Sequence, residues 1–99
     1  LMSEAVKLTE LSRLLGKLRF AQDGEDVNML EEVSDEIKSL SKFLPDQFKL
    51  SRLLAAAQDT SRNGEKLAQL YLDRCFRLSS GDFGKVEAID NEISSIELI

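Results

Sequence analysis

The stretch Val27–Leu44, VNMLEEVSDEIKSLSKFL, decides the fold class. Its apolar residues Leu30, Val33, Ile37, Leu40 and Leu44 advance by alternating steps of three and four, the spacing that puts side chains on one stripe of a helix packed along a partner helix. Glu31, Glu32, Asp35 and Glu36 fall on the opposite side, toward the N-terminus, where a helix dipole favours negative charge, with Lys38 and Lys42 toward the other end. Pro45 lacks a backbone donor and disfavours an α conformation at Leu44, so this helix is expected to end there.

The same period extends in both directions, and alternation at period two is rare. Leu8, Leu11, Leu14, Leu15 and Leu18 predict a first helix over about residues 4–20, capped by Ser3 or Thr9. Residues 21–26 are polar, contain Gly24 and read as a loop. Beyond Pro45 a third helix is expected from Pro45 and Asp46 to about Asp59, presenting Phe48, Leu50, Leu53, Leu54 and Ala57. After a polar turn ending at Gly64, with Ser61 or Asn63 as cap, a fourth helix carries Leu67, Leu70, Tyr71, Arg74, Cys75 and Leu78. Ser79–Asp82 is the clearest turn, with Asp82 as the cap of a last helix whose stripe is Phe83, Val86, Ile89, Ile93 and Ile96.

The expected architecture is therefore all-α: a small bundle of four or five short antiparallel helices forming one domain over residues 1–99. The helices around Gly81, Asp82 and Phe83 resemble the hairpin unit of tetratricopeptide-type helical repeats, which implies an antiparallel hairpin at the C-terminal end. No second copy at a fixed period is expected.

Composition narrows the chemistry. The chain has no histidine and only one cysteine, Cys75, which removes histidine-based acid, base and metal chemistry, internal disulfides and multi-thiolate zinc sites. Cys75 reads as a small buried hydrophobe. Thirteen basic against eighteen acidic residues give a formal charge of -5, so direct nucleic-acid binding is not expected. The bases are scattered: Arg13, Lys17 and Arg19 on the first helix, Lys49 and Arg52 on the third, Arg74 and Arg77 on the fourth. No apolar run is long enough to span a membrane and no leader is recognisable, so a cytoplasmic protein is expected. Leu1 reads as an added residue before a natural start at Met2.

The acids are unevenly placed, with seven and no base between Asp23 and Glu36, and five against Lys85 alone over residues 82–99. Residues 23–28 do not follow the ligand order of a calcium loop. Glu31, Glu32 and Asp35, with Glu87 and Asp90, resemble the two acidic helices of the all-helical nucleoside triphosphate pyrophosphohydrolases. That resemblance implies magnesium-dependent cleavage of a nucleotide, with those five carboxylates as the metal set. The two groups stand about fifty residues apart here, against little more than one helical hairpin in that family. The helical placement of the acids therefore argues for a solvated face, no cofactor and no enzyme. An acidic mimic of nucleic acid is a further alternative.

The apolar surplus points elsewhere. Met29 and Phe43 flank the second stripe, Leu72 and Phe76 widen the fourth, and Ile93, Ile96 and Leu98 continue the last. Short helices cannot bury all of these in a chain of 99 residues. The functional expectation is a protein–protein interaction module, such as an adaptor, chaperone-like or regulatory subunit. Its partner is another protein or a second copy, held by apolar helix faces with acidic rims.

Overall fold

A computed structural model of the chain describes residues 2–97. Five α-helices form, α1 (Glu4–Asp23), α2 (Val27–Ser41), α3 (Leu50–Gln58), α4 (Arg62–Ser79) and α5 (Phe83–Glu97), with a 3-10 turn at Asp46–Phe48 before α3. Among the described residues there is no strand, and no helix is long and apolar enough to cross a membrane. The chain divides into two compact units, Leu1–Pro45 and Asp46–Ile99.

In the first unit α1 starts where Ser3 accepts a hydrogen bond from the Val6 amide (3.2 Å). Its buried residues Leu8, Leu11, Leu14, Leu18 and Ala21 continue one turn past the expected end, because Ala21 is small enough to stay buried and Gly24 supplies the cap. α2 follows after three residues and packs back along α1, burying Val33, Ile37 and Leu40. It ends at Ser41, earlier than expected. Over residues 42–44 the amides bond three residues back, Phe43 to Leu40 (3.0 Å) and Leu44 to Ser41 (3.2 Å). Pro45 thus tightens the last turn into 3-10 winding before it stops the helix.

The second unit is organised around α4, which packs on α3, on α5 and on the 3-10 turn. Gly64 lies inside α4 rather than in the turn before it, since a Cβ there would overlap the backbone and side chain of Asp59. Asp59 in turn accepts from the Ser61 amide (2.9 Å), which holds its carboxyl below the usual carboxylate range. Tyr71 and Cys75 are buried, and Val86, Ile89 and Ile93 of α5 complete this core.

The expected continuous third helix does not form. Residues 46–48 make one 3-10 turn, closed by the Lys49 amide on the Asp46 carbonyl (2.9 Å), and Lys49 then takes a left-handed conformation (φ 53°) before α3 begins. The cause lies in α4. Arg74 donates to the Gln47 carbonyl (2.6 Å) and the Cys75 thiol donates to the Phe48 carbonyl (3.4 Å), so neither oxygen points along a helix axis. Phe48 and Leu50 are both buried, which a straight helix through Lys49 would not give them.

The two hairpins, α1–α2 and α4–α5, turn alike. In the first, the amides of Gly24, Glu25 and Asp26 bond to Phe20, Gln22 and Ala21; in the second, those of Ser80, Gly81 and Asp82 bond to Phe76, Leu78 and Arg77. Both turns have a left-handed middle residue (Glu25 φ 51°, Gly81 φ 79°) and an aspartate that accepts an amide of the next helix (Met29, 3.1 Å; Lys85, 3.3 Å). This is a Schellman-type ending run directly into an N-cap. The same register pairs Leu11 with Leu67, Leu14 with Leu70, Phe20 with Phe76, Val33 with Ile89 and Ile37 with Ile93. Elsewhere in that register the residues differ in type, with Leu18 matched by Arg74 and Ser34 by Asp90.

The break at Lys49 makes a direct prediction. Lys49→Gly should leave thermal and denaturant stability unchanged or raised, where glycine in a continuous helix would cost about 1 kcal/mol. Lys49→Val should cost about 1–2 kcal/mol, because a β-branched residue is strained at positive φ. The reverse ranking in urea unfolding would contradict the break.

Candidate interaction site

In the first unit the start of α1 and the end of α2 are tied together by Lys7, whose Nζ donates to the Phe43 carbonyl (3.0 Å). Between the helices an open groove of about 510 Å³ is lined by Met2, Glu10 and Leu14 on one side and Glu32, Asp35, Glu36, Ser39, Leu40 and Phe43 on the other. The spacing explains the lining. Glu10 and Leu14 are one turn apart on α1, and 32, 36 and 39 follow one line along α2 that Phe43 continues in the turn after it. Leu14 and Leu40 are buried and form the floor, while Phe43 is 68% and Met2 49% exposed.

The groove is electrostatically one-sided. Four carboxylates line it and no base does. Arg13 holds Glu10 from outside (Nε to Oε2 3.1 Å), keeping that carboxyl below its ordinary range, and the guanidinium is stabilised by Glu10 first and more weakly by Glu36. Glu32, Asp35 and Glu36 are exposed and make no ion pair among the described residues.

The helix dipole does not account for these acids, contrary to the expectation from sequence. Asp26 is the cap and Val27 the first helical residue, so the first turn holds no acid and Glu31–Glu36 begin beyond it, where the dipole effect has fallen off. Like charges four apart, Glu31 with Asp35 and Glu32 with Glu36, instead cost the helix a few tenths of a kcal/mol per pair, about 0.2–0.5. The second hairpin is an internal control. At the positions matching Glu10, Glu32 and Asp35 it carries Lys66, Ala88 and Asn91, whereas Glu31 and Glu36 are matched by Glu87 and Glu92, so the shared hairpin geometry does not require the first three.

The interface residues read from the sequence fall in several places. Phe43 is at the apolar end of the groove, and Met29 is half-buried in the first turns of α2, outside the lining. Leu72 (half-buried) and Phe76 (exposed) meet on the outer side of α4, where Lys66, Gln69, Leu70 and Asp73 complete a shallow depression of about 490 Å³. Ile93 is buried within the second unit, so it is a packing residue with no exposed face. Ile96 is half-buried, and Leu98 lies outside the described residues. The α1 half of the groove escaped sequence reasoning: Leu14 reads as plain core and Glu10 as a surface charge. Val27, the first residue of α2, and Phe83, read as the head of the last stripe, are 70% and 66% exposed. Each directly follows an aspartate cap, a signal that the preceding turn has no helix to cover it.

Among the described residues no group of three or more acidic or cysteine side chains is arranged to hold a metal ion. Of the second acidic pair, Asp90 is engaged by Arg74 (2.7 Å), and residues 23–28 are occupied in turn and cap geometry. No protein family matches the chain, and neither a curated protein nor a solved structure is significantly similar to it.

Cys75 is buried with its thiol on the Phe48 carbonyl, and burial pushes it up from 9.0 to about 11. The folded state therefore favours the neutral thiol. Its stabilising effect is fully present below pH 9 and is lost as pH rises toward 11. Alkylation of the native protein at pH 8 should be slow and should speed up on unfolding in urea, and Cys75→Ala should flatten the fall in stability between pH 9 and 11. Fast native alkylation would show that the Phe48 turn does not cover the thiol.

Proposed function

We propose that this chain is a protein–protein interaction module, working as an adaptor, chaperone-like or regulatory subunit in the cytoplasm. The carrying observation is the acid-rimmed apolar groove between α1 and α2, with Phe43 exposed at its end. An aromatic left this open costs hydration in the free protein and returns that free energy when a partner covers it. The acids add orientation and partner choice more than affinity, because exposed charges are screened over about 8 Å at physiological salt. The outer side of α4, with Leu72 and Phe76, supplies a second apolar surface on a separate unit. Two such surfaces on one small chain suit a subunit that links or is held by others.

Light scattering across a concentration series, run beside affinity capture with the wild type, Phe43→Asp and Phe76→Asp, tests the reading. A dimer or a stoichiometric partner is expected, weakened at least about tenfold by one of the two substitutions while circular dichroism stays helical. A monomer at high micromolar concentration, whose captured proteins are the same for all three chains, would remove the proposal.

A further inference from the structure

The polarity of the groove names the chemistry of its occupant. On the α2 side the acids Glu32, Asp35 and Glu36 come first in the lining, then Leu40 on the helix and Phe43 in the turn after it. Residues 32 to 43 rise by about 16 Å at 1.5 Å per residue, the length of three helical turns. A groove of that length, in which Met2, Leu14, Leu40 and Phe43 are interspersed with four carboxylates, matches a single helix that carries apolar anchors and cations together on one face. We propose that the groove between α1 and α2 receives a basic amphipathic helix of another protein, with Leu or Phe side chains against Leu40 and Phe43 and Lys or Arg side chains facing Glu32, Asp35 and Glu36. This rests on the interaction reading above and specifies its partner.

Three observations converge on a cationic occupant. The lining holds four carboxylates and no base; of the cations beside it, Lys7 is bonded to the Phe43 carbonyl and Arg13 to Glu10. The acids lie beyond the reach of the helix dipole and at mutually repulsive spacing. The matching hairpin α4–α5 turns identically with Lys66, Ala88 and Asn91 in place of Glu10, Glu32 and Asp35. Three of the four lining acids are thus particular to the first hairpin, while Glu36 is matched by Glu92. A second copy of this chain is the poorer occupant, because its net charge of -5 opposes self-association through an acidic groove.

The probe is a synthetic helix of about fourteen residues with Leu at two positions four apart and Arg one and two turns further on. Its controls are the same peptide with Glu for Arg, and a scrambled sequence. Binding is read by fluorescence anisotropy and located by amide chemical-shift changes in the full chain. The Arg peptide should bind, shift the amides around Glu32–Phe43, and lose about tenfold in affinity between about 50 and 300 mM salt. Glu32→Ala with Asp35→Asn installs the residues that the second hairpin already carries and should weaken binding at low salt about tenfold without loss of helicity. Phe43→Ser should weaken it at all salt concentrations. Equal binding of the Glu peptide, indifference to the double substitution, or shifts confined to α4 would overturn the basic-helix proposal. If the Arg peptide fails while a Phe43-dependent dimer or partner complex is found, the occupant is refuted and the interaction module stands. If no Phe43- or Phe76-dependent complex exists at all, both fall.

Discussion

Each long helix of this chain carries an apolar stripe that it cannot bury alone, and each must be reversed onto a partner within three residues. One hydrogen-bonded turn accomplishes this twice. The amide of the capping aspartate closes back on the helix it leaves, Asp26 on Ala21 and Asp82 on Arg77 (both 2.9 Å), while its carboxylate opens the helix it enters. The left-handed middle residue is the strained point, free of cost at Gly81 and carried by a side chain at Glu25. Because this turn fixes the register, the packing residues of α2 and α5 follow in step, Val33 and Ile37 matching Ile89 and Ile93.

Where the two hairpins differ, the second has taken on a further task. Leu18 and Ser34 are buried in the first, and their counterparts Arg74 and Asp90 form an ion pair (2.7 Å). Burying a guanidinium costs free energy unless its donors are satisfied. Here the second donor group goes to the Gln47 carbonyl, which the break at Lys49 takes out of a continuous helix. The charge and the break are therefore two halves of one arrangement, and Cys75, bonded to the neighbouring Phe48 carbonyl, belongs to it as well. This is a structural role for both the arginine and the lone thiol.

Most of the fold was readable because it is local. The three-and-four stepping of Leu30, Val33, Ile37 and Leu40 sufficed for α2, and Ser3, Ser61 and Asp82 cap where short polar residues precede apolar runs. What could not be read has causes remote in sequence. The break at Lys49 is held by side chains more than twenty residues away, and Gly64 is required by the close approach of Asp59 rather than by a turn. The site was half legible: Phe43 stands out as an apolar residue off the stripe, but Glu10 and Leu14 acquire meaning only when α1 lies beside α2. The acids were visible and misassigned, since an approximate helix start cannot separate a first turn from a second.

That distinction carries the functional argument. A carboxylate in the first turn stabilises its helix and needs no other explanation, whereas Glu32, Asp35 and Glu36 sit where they repel one another. The repulsion amounts to about 1 kcal/mol or less, small beside the several kcal/mol by which a domain is stable, so the fold tolerates it. A cation brought between these side chains would relieve it and gain attraction as well, whereas an anion would deepen it. The free energy difference between the two occupants is therefore larger than the energy of either contact alone, which is how a shallow groove with one exposed phenylalanine can discriminate among partners of similar hydrophobicity.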